Sequence, residues 1–343
     1  MRTRSIGRLY ALALAGLLAP AAHAAPGPAA PHALRGTVVV VNQRSDSITL
    51  VDLARLEACA HVPVVGGPHE AAVSPDGRTV VVTNYHKPGE PQRALSVVEL
   101  PAGTVRRTID LSPWRMPHDV RWVDSVRVVC TAEADSALLM VNLASGRVER
   151  VLRTGQRGSH MLALAADRRR LYCSNMGSGS VSVFDFATGD KLADIPTGRE
   201  CEGVGVSPDG RWVWAGNRTE DTISIIDAES LRVVRRLDSP GFPYRVQFTR
   251  DGRHALIPHA RASSLVVGDV AGQRIVRSIP LGLTKVEAPS TAGVFPHPDG
   301  RFAFVTVRND DSMLVLDLHE GTTVARVSVQ SSPDGVCWSP VQR

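Results

Sequence analysis

From residue 38 onward the chain repeats one arrangement. An apolar, β-branched run is followed by a short polar break, then a second apolar run ending in an acid or amide. It reads Val38-Val39-Val40-Val41-Asn42, then Ile48-Thr49-Leu50-Val51-Asp52. It returns as Val80–Asn84 with Leu95–Glu99, Val128–Ala132 with Leu138–Asn142, and Leu171–Asn175 with Val181–Asp185. Val213–Asn217 with Ile223–Asp227, Ala255–His259 with Leu265–Asp269, and Ala303–Val307 with Met313–Asp317 complete the series. Short runs of this composition, bounded by turn residues, predict strands, and no stretch shows the period of an amphipathic helix.

Taking Asn42, Asn84, Ala132, Asn175, Asn217, His259 and Val307 as equivalent, the spacings are 42, 48, 43, 42, 42 and 48 residues. Each unit has room for two more strands. One precedes the run and turns into it through Ser74-Pro75-Asp76-Gly77, Ser207-Pro208-Asp209-Gly210, Arg250-Asp251-Gly252 or Pro298-Asp299-Gly300. Proline presets φ and glycine supplies positive φ, as tight hairpins require. The other follows the acid, as in Thr104–Leu111, Arg232–Leu237 and Ile275–Ile279. Periods in the forties with four short strands predict an all-β, seven-bladed β-propeller of four-stranded blades. The first repeat lacks an inner strand, while Ser332–Trp338 is an inner strand with no blade after it. The ring is therefore expected to close by pairing the C-terminal strand with the N-terminal blade, in one domain over residues 36–343.

The stretches Val82-Thr83-Asn84, Leu171–Asn175, Gly179–Asp185 and the Ser-Pro-Asp-Gly turns resemble the YVTN-repeat β-propellers of exported bacterial proteins. The resemblance covers nearly all of the chain after residue 36 and implies the fold, while the family's functions are diverse. His297-Pro298-Asp299-Gly300-Arg301-Phe302 more distantly resembles lactonase-type propellers, which open sugar lactones. No catalytic acid or base of those enzymes can be matched here, so a hairpin turn with a surface histidine is the alternative.

Six residues before each turn proline or its equivalent, the innermost strands start with Asp334, His69, His118, His160, Glu202, Tyr244 and Ala292. YVTN repeats are small here, of the form Pro-x-Gly, whereas three successive blades of this chain carry histidine. Imidazoles converging on the channel axis with Glu202 would suit a transition metal such as Zn²⁺, Cu²⁺ or Fe, with His69, His118, His160 and Glu202 as ligands. Glu70 and Asp119 are candidates to orient the imidazoles. A ligand-binding or catalytic polar cluster, or a polar channel lining, fits the same residues. Two insertions, Tyr85–Arg93 with Tyr85 and His86, and Leu281–Thr291, should elongate loops on the same face. Tyr244, Arg245, Arg308 and Arg44 could hold an anionic ligand there. Cys201 is placed at the mouth, with Cys130 and Cys173 in neighbouring blades too far apart to bridge.

The N-terminus changes the picture of location. Arg2, Arg4 and Arg8 precede the apolar run Leu9–Ala19, and Ala22-His23-Ala24 fits a signal-peptidase site. Residues 1–24 read as a signal peptide and 25–35 as an Ala/Pro-rich leader. Export to the periplasm or beyond follows, as a monomer without a membrane span. Removing those three arginines takes the formal charge from +5 to +2. No basic patch interleaved with aromatics argues for nucleic acid. With 43% hydrophobic and 21% charged residues the chain is globular rather than disordered. The five dispersed cysteines, odd in number and lacking CxxC spacing, read mostly as buried free thiols.

Three classes of function follow. The first is a binding or scaffold propeller that takes a protein or small-molecule ligand on the loop-rich face. The second is an enzyme, lactonase-like hydrolase or lyase, with histidine and glutamate as acid and base. The third is a carrier of a metal or redox cofactor. No GxSxG, HExxH, P-loop or CxxCH motif competes.

Overall fold

The computed structural model describes residues 34–87, 89–283 and 291–343. Residues 1–24, read as a signal peptide, most of the stretch read as a leader and most of the Leu281–Thr291 insertion lie outside the described residues. Seven antiparallel four-stranded sheets stand in a ring, as the repeat spacing predicts. The first blade consists of Pro333–Ser339, Thr37–Asn42, Ser47–Asp52 and Glu57–Pro63, so the two ends of the chain share it. Val38 pairs with Trp338 and Val40 with Val336. The Trp338 indole donates to the Arg35 carbonyl at 3.0 Å, and the Thr37 hydroxyl to that of Val341 at 2.8 Å. Closure of this kind leaves no inner sheet edge open.

Second and third strands are buried on both faces because each blade packs between two neighbours. Thr37–Asn42 and Ser312–Asp317 are buried throughout. Continuous apolar runs, not alternation, are what such strands need. The core lies between blades: Val81, Leu95 and Val97 of the second blade meet Val128, Cys130 and Leu139 of the third. Outermost strands face solvent and carry arginines that reach the next blade. Arg107 donates to the carbonyls of Leu143, Ala144 and Ser145, and Arg277 to those of Leu318, His319 and Glu320.

The asparagine ending the second strand closes the hairpin to the third. Asn175 donates to the hydroxyls of Ser180 and Ser182, and Asn217 to those of Thr222 and Ser224. Where Ala132 and Val307 replace it, the hairpin contains a short 3₁₀ turn, Glu133–Asp135 or Arg308–Asp310. Two expectations need correction. The Tyr85–Arg93 insertion extends a hairpin rather than forming a loop: Thr79–Lys87 pairs with Glu90–Glu99 as far as Lys87↔Glu90. Continuing the ladder gives partners to backbone groups that a loop would leave to water. His297, expected at the surface, is buried because its ring packs edge-on against Phe304 and Trp338.

Candidate functional site at the channel mouth

The innermost strands begin with a β-bulge. Pro68 pairs with Asn84 and Ala71 with Val82, so His69 and Glu70 together oppose Thr83. The same two-against-one count places His160–Met161 opposite Ser174, Glu202–Gly203 opposite Gly216, and Ala292–Gly293 opposite Thr306. A bulge re-aims side chains that strict alternation would send to opposite faces. In three of these four blades a hydroxyl fixes it, from Thr83, Ser174 and Thr306. Thr83 accepts the Glu70 amide at 3.0 Å and donates to the His118 carbonyl of the next blade at 2.8 Å. Ser174 and Thr306 likewise donate to the carbonyls of Glu202 and Asp334.

The three histidine rings lie in a row, each tilted against the next, by 43° and 35°. Ring centroids are 4.0 Å apart for His69 and His118, and 3.6 Å apart for His118 and His160. Tyr85 meets His69 and His118 edge-on, its hydroxyl donating to Glu133 at 3.0 Å. His160 lies between two carboxylates, Nδ1 2.7 Å from Glu133 and Nε2 2.8 Å from Glu202. Burial alone would lower its pKa, but those two acids outweigh burial and raise it to about 10. For His69 burial wins: it drives the pKa down to about 3, despite Asp334 at 3.3 Å and Glu70 at 4.0 Å. Burial holds the pKa of His118 well below the usual imidazole range, and neither of its ring nitrogens has a hydrogen-bond partner among the described residues.

Arg245 is the central cation. It donates to Glu70 and Glu202 at 2.7 Å and lies 3.5 Å from Asp334. Burial still raises Glu70 to a pKa of about 7, while His160, Arg245 and Arg218 offset burial and hold Glu202 well below the usual carboxylate range. Arg308 pairs with Asp334 and donates to the Tyr244 hydroxyl, and Arg218 pairs with Glu202 and Glu200. Beyond the cluster, the channel contains a cavity of about 310 Å³ lined by Glu70, Arg245, Arg121, Trp122, Phe295 and Trp338, among others.

The structure thus brings together His69, His118, His160, Glu202, Tyr244, Arg245, Asp334, Tyr85 and Arg308. Arg44 and His86 lie apart, lining a peripheral cavity of about 550 Å³ with Asp46 and Lys87. Asp119 orients no imidazole; it pairs with Arg121 at 2.7 Å and accepts the Leu162 amide. Arg245 and Arg308 already hold carboxylates, so neither is a free anion receptor. The four residues read as one metal set do not close on one point. Donor atoms within 4.8 Å of one another form two groups, His118–Glu133–His160 and His69–Glu70–Asp334. All five cysteines are free, Cys59 exposed and the others buried.

Glu133 and Arg218 were not legible from the inner strands. Their signal lies one residue past the hairpin asparagine or its replacement, at Tyr85, Glu133, Arg218 and Arg308. These four form a second tier around the first.

Residues 118–295 match the profile of the YNCE-like beta-propeller family. The dihydro-heme d1 dehydrogenase of Pseudomonas aeruginosa is 27% identical over 320 residues, which cover 88% of this chain and 62% of that protein. This chain therefore spans about three fifths of that relative's length. The seven-bladed beta-propeller protein Rv1057 of Mycobacterium tuberculosis is 26% identical over 165 residues, 46% of this chain and 40% of the other. Among solved structures, Kuenenia stuttgartiensis hydrazine synthase superposes with a TM-score of 0.70 at 18% identity, covering 82% of this chain and 92% of that one. Dihydro-heme d1 dehydrogenase NirN in complex with DHE gives 0.65 at 17%, covering 90% and 77%. At such identity the structural likeness bears on the fold alone.

Proposed function

Because the chain belongs to the YNCE-like beta-propeller family, we propose that it is an exported, periplasmic binding protein taking a small ligand at the channel mouth. The observation that carries this reading is a pair of buried imidazoles, His69 and His118, with ring nitrogens left unpartnered among the described residues. An unpaired buried polar group costs about 1–3 kcal/mol, which an apolar residue would avoid. A ligand able to coordinate or hydrogen-bond imidazole compensates that cost.

The relative named for dihydro-heme d1 makes an iron tetrapyrrole the first ligand to try. His69 has its Nδ1 unpartnered among the described residues and its ring at one end of the row of histidines. The test is a haemin titration of untagged protein, followed by absorbance. Saturation at one haemin per chain, lost in His69→Ala, supports the reading; an unchanged Soret band at all ratios rejects it. Fractionation of the native host, with N-terminal sequencing beginning at Ala25, tests export.

A second reading, a hydrolase or lyase, is favoured by one observation. Glu70, with its pKa raised to about 7 by burial, borders the channel cavity beside Arg245, where a general acid–base would serve at neutral pH. A lactone and ester panel, with Glu70→Gln as the inactive variant, tests it. Absence of turnover in the parent protein ends that reading.

A further inference from the structure

We infer that His118, His160 and Glu133 form a binding site for a single divalent first-row transition ion, of the Zn²⁺, Cu²⁺ or Fe²⁺ class. The inference rests on the reading of the channel mouth as a ligand site and names one occupant of it.

Three observations converge. One donor atom from each residue lies within 4.8 Å of the others. Bonds of about 2.1 Å put donors roughly 3.4 Å apart around a tetrahedral ion, so side-chain shifts of about 1 Å close the set. His118, central in the row of histidines and fully buried, offers two nitrogens with no hydrogen-bond partner among the described residues. A buried imidazole without a hydrogen bond is an available ligand.

His160 is held in the orientation a ligand needs. Its Nε2 faces Glu202, itself fixed by Arg245 and Arg218 at 2.7 and 2.8 Å. That leaves Nδ1 facing Glu133, so an ion would take the place now filled by a hydrogen bond. A carboxylate behind a ligating imidazole fixes its tautomer and raises its basicity. Tyr85 supports Glu133 in the same way through its hydroxyl.

Charge decides between the two groups. Glu70 and Asp334, in the second group, already pair with Arg245 and Arg308. A cation there would meet guanidiniums. Glu133 contacts the Tyr85 hydroxyl and His160 and pairs with no guanidinium among the described residues. Two imidazoles and one carboxylate suit Zn²⁺, Cu²⁺ and Fe²⁺, whereas Ca²⁺ and Mg²⁺ prefer oxygen. Three protein donors also leave a coordination position for a non-protein ligand.

The experiment uses untagged full chain, stripped with chelator and shown folded by circular dichroism. Co²⁺ titration read by its visible d–d bands, with Zn²⁺ calorimetry, should give one ion per chain. Glu133→Gln and His118→Gln should each weaken binding about 100-fold or more, and Glu202→Gln about 10- to 100-fold. His86→Ala, in the peripheral cavity, should bind as the parent does. No ion at one per chain in the folded parent overturns the inference, as does parental affinity in Glu133→Gln. Loss of the ion in His69→Gln but not in Glu133→Gln would move it to the other group and overturn the assignment. Haemin separates the two readings: Co²⁺ binding without haemin binding keeps the ion site and rejects the tetrapyrrole, and the converse rejects the ion site alone.

Discussion

Arg245 and Glu202 meet at 2.7 Å in the middle of the ring, both essentially shut off from solvent. The same guanidinium reaches Glu70 across the channel, so one side chain neutralises carboxylates from blades that are not neighbours. Such pairs offset their own desolvation only while every partner is present.

Arg245→Met should therefore cost about 3–5 kcal/mol, because it leaves Glu70, Glu202 and Asp334 facing one another without their shared cation. Urea denaturation measures it. The double variant Arg245→Met, Glu70→Gln should recover part of the loss, since the two residues are coupled. A single variant as stable as the parent would show that the cluster is solvated.

Stability should also depend on pH through this cluster, in metal-free protein. His160 is pushed up to about 10 when folded, against 6.5 for a free imidazole, so its proton stabilises the fold fully below pH 6.5. That contribution fades as pH rises through 10. Glu70, raised from 4.5 to about 7 by burial, acts in the same direction between those values. His69, lowered by burial to about 3, acts oppositely, costing stability as pH falls from 6.5 to 3. Melting temperature should decline from pH 6.5 to 10, and His160→Gln should flatten that limb. A flat limb in the parent contradicts the assignment.

Close approach of inner strands gives a third test. A Cβ on Gly203 would lie 2.7 Å from the Tyr244 carbonyl oxygen, and one on Gly335 2.6 Å from that of His69. Backbone cannot yield as a flexible side chain does. Gly203→Ala and Gly335→Ala should each cost about 1–3 kcal/mol, read by denaturant midpoint. Gly210→Ala is no control for crowding: its space is open, but its φ of +72° carries strain of its own.

Ending the chain at Ser331 removes Pro333–Ser339, the innermost strand of the first blade. Val38–Asn42 would lose ladder partners, and apolar surface around Val336 and Trp338 would go with it. The truncated protein should melt about 10 °C or more below the parent, or fail to stay soluble. Melting within a few degrees of the parent would contradict closure through that blade.

Much of the ring was legible because its determinants are local. Ser-Pro-Asp-Gly turns, hairpin asparagines and doubly buried apolar runs each act within a few residues, and Ser332–Trp338 betrayed itself as a strand without a blade. The mouth was only half legible. Alignment of inner strands found His69, His118, His160 and Glu202, since these replace small residues. It could not show that bulges rotate neighbouring pairs, or that Glu202 spends its oxygens on Arg245 and Arg218. Glu133 escaped because its position is set by a 3₁₀ turn in place of a hairpin asparagine, a backbone effect rather than a residue pattern. Arg44 and His86 sit on the right face but at the wrong radius, a coordinate that repeat spacing does not encode.

The shared blade has a mechanical consequence. Thr37 lies opposite Ser339 at one end of an antiparallel pair, so both chain ends leave the ring side by side. A pull on the two termini loads a single rung of that ladder at a time, because the hydrogen bonds lie along the direction of force. The ring would part like a zip at this seam under a small load, while each of the other blades, joined by continuous chain, bears none until the seam has opened.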